Sequence, residues 1–324
     1  MLYFIYSTMW YLNLKILYLY NIMKVSICLC IRDAAIYIDY INELFSKIEA
    51  KYTNISFEYF MYENNSKDNT KDSIINFYKN RQGKYLCENI EGDIMMEGIK
   101  IDRGNKMSNI RNKLKHFHRR LDSDYVVLLD SDVIFTQDTI IQLIDTLENE
   151  IVMATPFCIC YYYYILNNKS IHYYDSFAVI SMDNISYKES RNTCLFKSCN
   201  RCIHFRKATC IKICDKYLFD NDKIIETKSC FGSFGVLKTK VYNEVSWGNT
   251  ICEHHSFCDA VSKYGKIVIN PMIKTFTTTP SVRDYNGIDK ELNEVIYHIN
   301  KEIPVRTISQ VRIRSCHNYK TIFF

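Results

Sequence analysis

The chain has 324 residues, 48% of them hydrophobic and 24% charged, enough apolar material for one large or two modest folded domains. Only 4 prolines and 9 glycines exclude collagen-like or low-complexity structure. A net charge of +5, scattered along the chain, excludes the wide basic face that nucleic-acid binding calls for.

Residues 1–23 are aromatic and apolar, interrupted by Ser7, Thr8, Asn13, Lys15 and Asn21. Their length is close to a membrane span, so the segment reads either as a signal anchor or as sequence preceding a true start at Met23. Lys24 and Arg32 follow the run, and positive-inside logic then keeps the main domain cytoplasmic. The alternative is a chain anchored at the ER or Golgi membrane.

From Lys24 short apolar runs alternate with longer amphipathic segments. Strands are expected at Val25–Ile31, Ile55–Tyr62 and Lys84–Cys87, with helices over Ile36–Ile48 and from about Asp68 to Asn80. Asp68, Asn69 or Thr70 can cap the second of these helices. Next come a helix over Met107–His118, a strand over Asp124–Leu129, a helix from Gln137 to Leu147 and a strand at Ile151–Ala154. Repeated β-α-β units give a mainly parallel α/β sheet with helices on both faces. The second half is less regular. Ser176–Ser181 and Ser229–Leu237 read as strands or their ends, Glu253–Lys263 as a helix, Lys266–Ile269 as a strand and Asp289–Asn300 as a helix. The basic group Lys113, Lys115, His116, His118, Arg119 and Arg120 reads as the cationic C-terminal end of a helix.

Cys28 and Cys30, inside the first strand, are expected to be small buried hydrophobes. Cys194, Cys199, Cys202, Cys210 and Cys214 lie in a Cys-rich insertion (190–226) that contains His204. They are either a structural zinc site or a loop of reduced thiols.

Four polar clusters fall at strand ends or helix starts on one side of such a sheet: Arg32 with Asp33; Glu63 through Thr70; Arg103 with Arg111 and Asn112; and Asp130 with Asp132. In open α/β sheets, ligands sit outside the carboxyl ends of the strands. Asp130 and Asp132, one residue apart after a buried strand, suit a hard divalent cation holding phosphate oxygens. Arg103 and Arg111, two helical turns apart, are candidates for the same phosphates. Gly232 and Gly235 mark either a close backbone approach or a bulge.

In order, "SICLCIRDAA", "YENNSKDNT", "RGNKMSNIRN" and "YVVLLDSDV" resemble the nucleotide-sugar half of GT-A-fold glycosyltransferases. The likeness is nearest to the capsule-associated mannosyltransferase-like group and to glycosyltransferases of large DNA viruses. A chain rich in Ile, Asn, Lys and Tyr, all with AT-rich codons, suits a large DNA virus or an AT-rich protist; with a viral source the cytoplasm would be the host's. "YYDSFAVIS", "SCFGSFGVLKTKVY" and "CEHHSFC" resemble that group's acceptor-side motifs. The resemblance covers about residues 24–280, with a donor half (24–155) and a mixed acceptor half (156–280), and leaves a C-terminal extension (281–324).

The resemblance implies Mn²⁺ or Mg²⁺ against a donor diphosphate, with Asp132 coordinating, Asp130 on the ribose or the metal shell, and His254 as a late third ligand. It implies donor contacts for Arg32, Glu63, Asp68, Arg103, Arg111 and Asn112. Asp175 would lie toward the transferred sugar, and Glu253 would serve as an acid or base at the hydroxyl of a glycan or glycoprotein acceptor. Glu253 also reads as a first-turn glutamate serving the helix dipole. The capsule-type resemblance leans toward mannose and retention, whereas a Glu253 base implies inversion. Two other functions stay open. A sugar-phosphate nucleotidyltransferase would need a Gly-rich loop where this chain has Ile31-Arg32-Asp33-Ala34-Ala35, and a non-catalytic glycan-binding relative would not need intact Asp130, Asp132 and His254.

Overall fold

The computed structural model describes residues 22–90, 101–163, 169–173, 178–182, 223–248, 250 and 252–277. The Cys-rich cluster, the expected helix at 289–300, Asp175 and residues 1–21 lie outside them.

Among the described residues, eleven strands form a single sheet. The strands are β1 (Met23–Ile31), β2 (Ile55–Asn64), β3 (Gly83–Glu88), β4 (Tyr125–Asp130), β5 (Val133–Ile134), β6 (Ile151–Tyr163), β7 (Lys169–Tyr173), β8 (Ile180–Ser181), β9 (Ile225–Ser229), β10 (Phe234–Lys238) and β11 (Lys266–Thr277). The helices are α1 (Ala35–Lys51), α2 (Thr70–Phe77), α3 (Ile101–His118), α4 (Thr139–Asp145), α5 (Thr239–Glu244) and α6 (Glu253–Ser262). The spatial order is β3-β2-β1-β4-β10-β6-β11-β9-β8. Pairing is parallel from β3 to β4, because each crossover carries a helix. It turns antiparallel where β10 enters between β4 and β6, and is mixed beyond. The expected fold class, a mainly parallel α/β half joined to a mixed half, is what the chain adopts.

Period-two alternation sends side chains to two cores. Val25, Ile27 and Leu29 of β1, with Val127 and Leu129 of β4, pack under α1, α2 and α4. There Phe45, Tyr59 and Phe77 meet edge to face at 5.0 and 4.9 Å, each pair contributing about 0.5–1.5 kcal/mol beyond burial. Cys28, Val126 and Leu128 point to the opposite core with Ile110 and Leu114 of α3, Tyr242 of α5 and Phe257 of α6. Asp130 shares the parity of Val126 and Leu128, so it emerges on the α3/α6 side.

Three expectations are corrected. Ser229–Leu237 is not one strand: Gly232 and Ser233 adopt φ of 58° and 62°, and this turn separates β9 from β10. β6 and β11 run well past Ala154 and Ile269. Their parallel register slips between Asn270 and Lys274, so Pro156 and Pro271 are carried at an irregularity rather than ending the strands.

The basic group after Lys113 is structural. Lys115 Nζ donates to the Tyr242 and Asn243 carbonyls at 2.8 and 3.1 Å and also to that of Val245. His118 is buried between the Arg119 carbonyl, 2.6 Å from Nδ1, and the Tyr242 hydroxyl, 2.9 Å from Nε2. Burial lowers its pKa to about 4. A folded-state pKa below the unfolded value means that the unfolded chain binds the extra proton first, so stability falls as pH drops from about 6.5 toward 4. Urea denaturation is expected to show a loss on the order of 1–2 kcal/mol from this group over that range. The His118→Gln variant should lack that part of the slope, and an unchanged slope would contradict the assignment.

Candidate functional site

The loops after β1 and β2 are stapled together at the carboxyl edge of the sheet. Lys67 N donates to Asp33 Oδ1 at 2.7 Å, Asp33 N to Ser66 Oγ at 3.0 Å and Ala34 N to Thr70 Oγ1 at 2.7 Å. Asp68 accepts from Ala35 N and from Thr70 N, both at 3.1 Å, and so ties the start of α1 to that of α2. Arg32 Nε lies 3.6 Å from Asp33 Oδ2. Glu63 is 0% exposed; Oε1 accepts from Ser66 N at 2.7 Å, whereas Oε2 is buried without a hydrogen bond, 3.9 Å from Lys71 Nζ. Holding a carboxylate oxygen there costs free energy unless a donor reaches it. Asp68 therefore braces the loops, while Glu63 Oε2 stays buried beside Lys71.

The second part of the site brings the two halves of the chain together. Arg111 is 5% exposed, and its Nη2 donates to Asp130 Oδ1 at 3.0 Å. Its Nε lies 3.5 Å from Glu253 Oε1, on the first turn of α6. The guanidinium carbon sits 4.9 Å from the centre of the Phe231 ring, and the His254 ring stacks on Phe231 at 4.0 Å, 14° from parallel. His254 Nε2 lies 3.3 Å from Glu253 Oε1 and 3.4 Å from Arg111 Nη2.

Burial works against the Arg111 charge, but Asp130 and Glu253 outweigh it and hold its pKa above the ordinary value. Burial first, and the nearby guanidinium second, push the His254 pKa well below the usual imidazole value, so this ring is neutral. Burial also pushes the Cys30 thiol up to about 12, which makes it an inert neighbour. In such a buried ion-pair knot, deleting one partner typically costs about 3–5 kcal/mol.

Asp130 N is anchored to the Ser233 carbonyl at 2.9 Å, and the Asp132 carbonyl accepts from Thr277 Oγ1 at 3.2 Å. These bonds fix the Asp-Ser-Asp turn from two distant segments. Its two carboxylates fit a hard divalent cation. With Glu253 and one guanidinium, and with His254 neutral, the cluster has a formal charge of −2, which a single dication balances. His254 is not brought into that ligand set. Its Nε2 faces Arg111 and Glu253, its Nδ1 is buried without a hydrogen bond, and the described residues hold no group of three His, Cys, Asp or Glu arranged around a metal.

Two other expected donor contacts sit apart from the cluster. Arg103 is exposed on α3 while Arg111 is buried, because eight residues advance the helix about 80° beyond two full turns. Asn112 donates to the Trp247 carbonyl at 2.8 Å and accepts from Trp247 N at 3.1 Å, fastening α3 to the segment before α6.

Phe231 and Ser233 were not legible as site residues. The glycines that flank this turn gave the only local hint. At Gly235 a Cβ would crowd Met153 Cε at 3.1 Å and meet the Phe231 ring at an ordinary 3.5 Å, so the missing side chain makes room for Met153.

The sequence matches the model described as "Glycosyl transferase family 2" over residues 26–218, more than half of the chain. The match takes in Arg32 through Asp132 and stops before Glu253. Comparison with curated proteins gave no match. Among solved structures, the chain is similar to S. aureus TarS 1-349 in complex with UDP-GlcNAc (12% identity, 89% of this chain and 70% of that one, TM-score 0.45). It is also similar to the mannosyltransferase PcManGT from Pyrobaculum calidifontis in complex with GDP-Man and Mn²⁺ (11%, 84% and 61%, 0.43). A third is M. tuberculosis glucosyl-3-phosphoglycerate synthase (12%, 86% and 78%, 0.40). These likenesses are distant, and the assignment rests on the family model: the chain belongs to glycosyl transferase family 2.

Proposed function

We propose that this protein transfers a hexose, mannose being the first candidate, from a nucleotide diphosphate sugar to a hydroxyl of a glycan or protein acceptor. The observation that carries this reading is the convergence of Asp130, from the parallel half, and Glu253, from the acceptor half, on one buried guanidinium. Family membership supports the reaction class, and the Asp130–Asp132 pair supports a divalent cation, Mn²⁺ or Mg²⁺.

Asp132 and Asp130 would hold the cation, which when bound neutralises charge on the departing diphosphate. Glu63 Oε2 and Arg32 line the donor side, Glu63 toward a base or ribose hydrogen-bond donor. Glu253 takes the proton of the acceptor hydroxyl as its oxygen bonds to the anomeric carbon. The carbon–oxygen bond to the diphosphate breaks, and the nucleoside diphosphate leaves with the electron pair. Attack opposite the leaving group inverts the anomeric centre.

Asp175 is retained as a candidate on the transferred sugar, and His254 is assigned to positioning Glu253. Among the described residues no helix is long and apolar enough to cross a membrane. The test is nucleotide release from a panel of UDP-, GDP- and CMP-linked sugars by metal-stripped protein, with and without added Mn²⁺. Release that returns only with metal is expected, and metal-independent turnover or no release from any donor would overturn the reading.

A further inference from the structure

Asp130 Oδ1 already accepts from a cation of this chain. Arg111 is shared by the donor-side and acceptor-side carboxylates, and it cannot leave its place cheaply. It is buried, it rests on the face of Phe231, and it is held by Asp130 and Glu253 at 3.0 and 3.5 Å. A metal drawn to Asp130 therefore meets a fixed guanidinium 3.0 Å from the oxygen it would share. Both are cations, so each lowers the other's hold on the carboxylate.

Taking Asp130 as a donor-side ligand, as proposed above, we infer that Arg111 is a positioning residue that competes with the metal for Asp130 and couples donor loading to the acceptor base. While Arg111 is shared, Asp130 is a poor ligand for a bare cation. A cation arriving with a nucleoside diphosphate brings the anionic oxygens that repay the loss. As Asp130 turns to the metal, the guanidinium is left with Glu253 and draws that carboxylate, with the stacked His254, to one fixed position. Metal alone therefore binds weakly, and the base is set only once the donor is in place.

Titration of full-length protein with Mn²⁺ alone, following free Mn²⁺ by electron paramagnetic resonance, tests this. Arg111→Gln removes the competing charge and is expected to bind Mn²⁺ roughly tenfold more tightly than wild type while losing transfer. Arg111→Lys keeps the charge but reaches only one carboxylate, so its affinity should fall between the two, and it serves alone if the glutamine variant does not fold. A residue that only packed the core would leave Mn²⁺ affinity unchanged or weaken it. Affinity equal to or below wild type in the folded variants, including no binding in any of them, overturns the competition. The donor-clamp role itself fails separately, if Asp132→Ala matches wild type in binding Mn²⁺ with a nucleoside diphosphate.

Discussion

Replacing Asp132 with alanine is expected to lower kcat/KM for sugar transfer by about 1,000-fold or more, because a positioned dication contributes several kcal/mol to stabilising a departing diphosphate. Asp132 is half-buried, and the contact that anchors the turn runs through its backbone carbonyl to Thr277 Oγ1, which alanine keeps. The pairing of Val133 with Thr277 is also independent of the side chain. Nucleotide release should therefore collapse while this backbone anchor of the turn is kept. A variant that unfolds early, or one that turns over within tenfold of wild type, would each contradict the assignment, the first by making the residue structural and the second by making it dispensable.

Glu253→Gln should lower kcat by about 10²–10⁴-fold, the range ascribed to a positioned general base. The amide keeps the shape and a neutral contact to Arg111 but cannot take a proton. The substitution also removes one of the guanidinium's two carboxylates, so a stability loss of about 3–5 kcal/mol is expected alongside. The kcat-against-KM split separates the roles. A helix-dipole glutamate would lose stability and leave kcat nearly intact, whereas a base loses kcat at saturating donor and acceptor.

The parallel half was legible because each strand there is a short apolar run ended by a polar cluster and followed by a helical repeat. β4 shows why. Its residues are buried on both faces, so Val126–Leu129 reads as continuous apolar sequence until Asp130 stops it. The acceptor half hid its longest strands behind Pro156 and Asn270-Pro271, which locally mean a turn and here sit at a register slip. The two-residue β5 and the six-residue α5 are too short to carry a period.

Within the site, Asp130, Arg111 and Glu253 could be named from motif order, but their convergence depends on contacts spanning more than a hundred residues. Asp68 and Asn112 looked like ligand contacts because polar residues at loop and helix starts have two uses. Their oxygens are taken by backbone N–H groups of neighbouring segments. Phe231 was hidden for the converse reason: an aromatic before a Gly-Ser turn announces packing, and only the folded chain sets a guanidinium and an imidazole against its ring.

Asp130 and Asp132 are proposed to hold the donor's metal beside Arg111 and Glu253. The most direct test is a crystal structure with Mn²⁺ and a nucleoside diphosphate, with the ion located by anomalous scattering. The expected result is a single peak on the Asp132 carboxylate, at an oxygen–metal distance of about 2.0–2.4 Å, that also touches the diphosphate. A peak elsewhere, or a bound nucleotide with no metal between it and Asp132, would contradict the account.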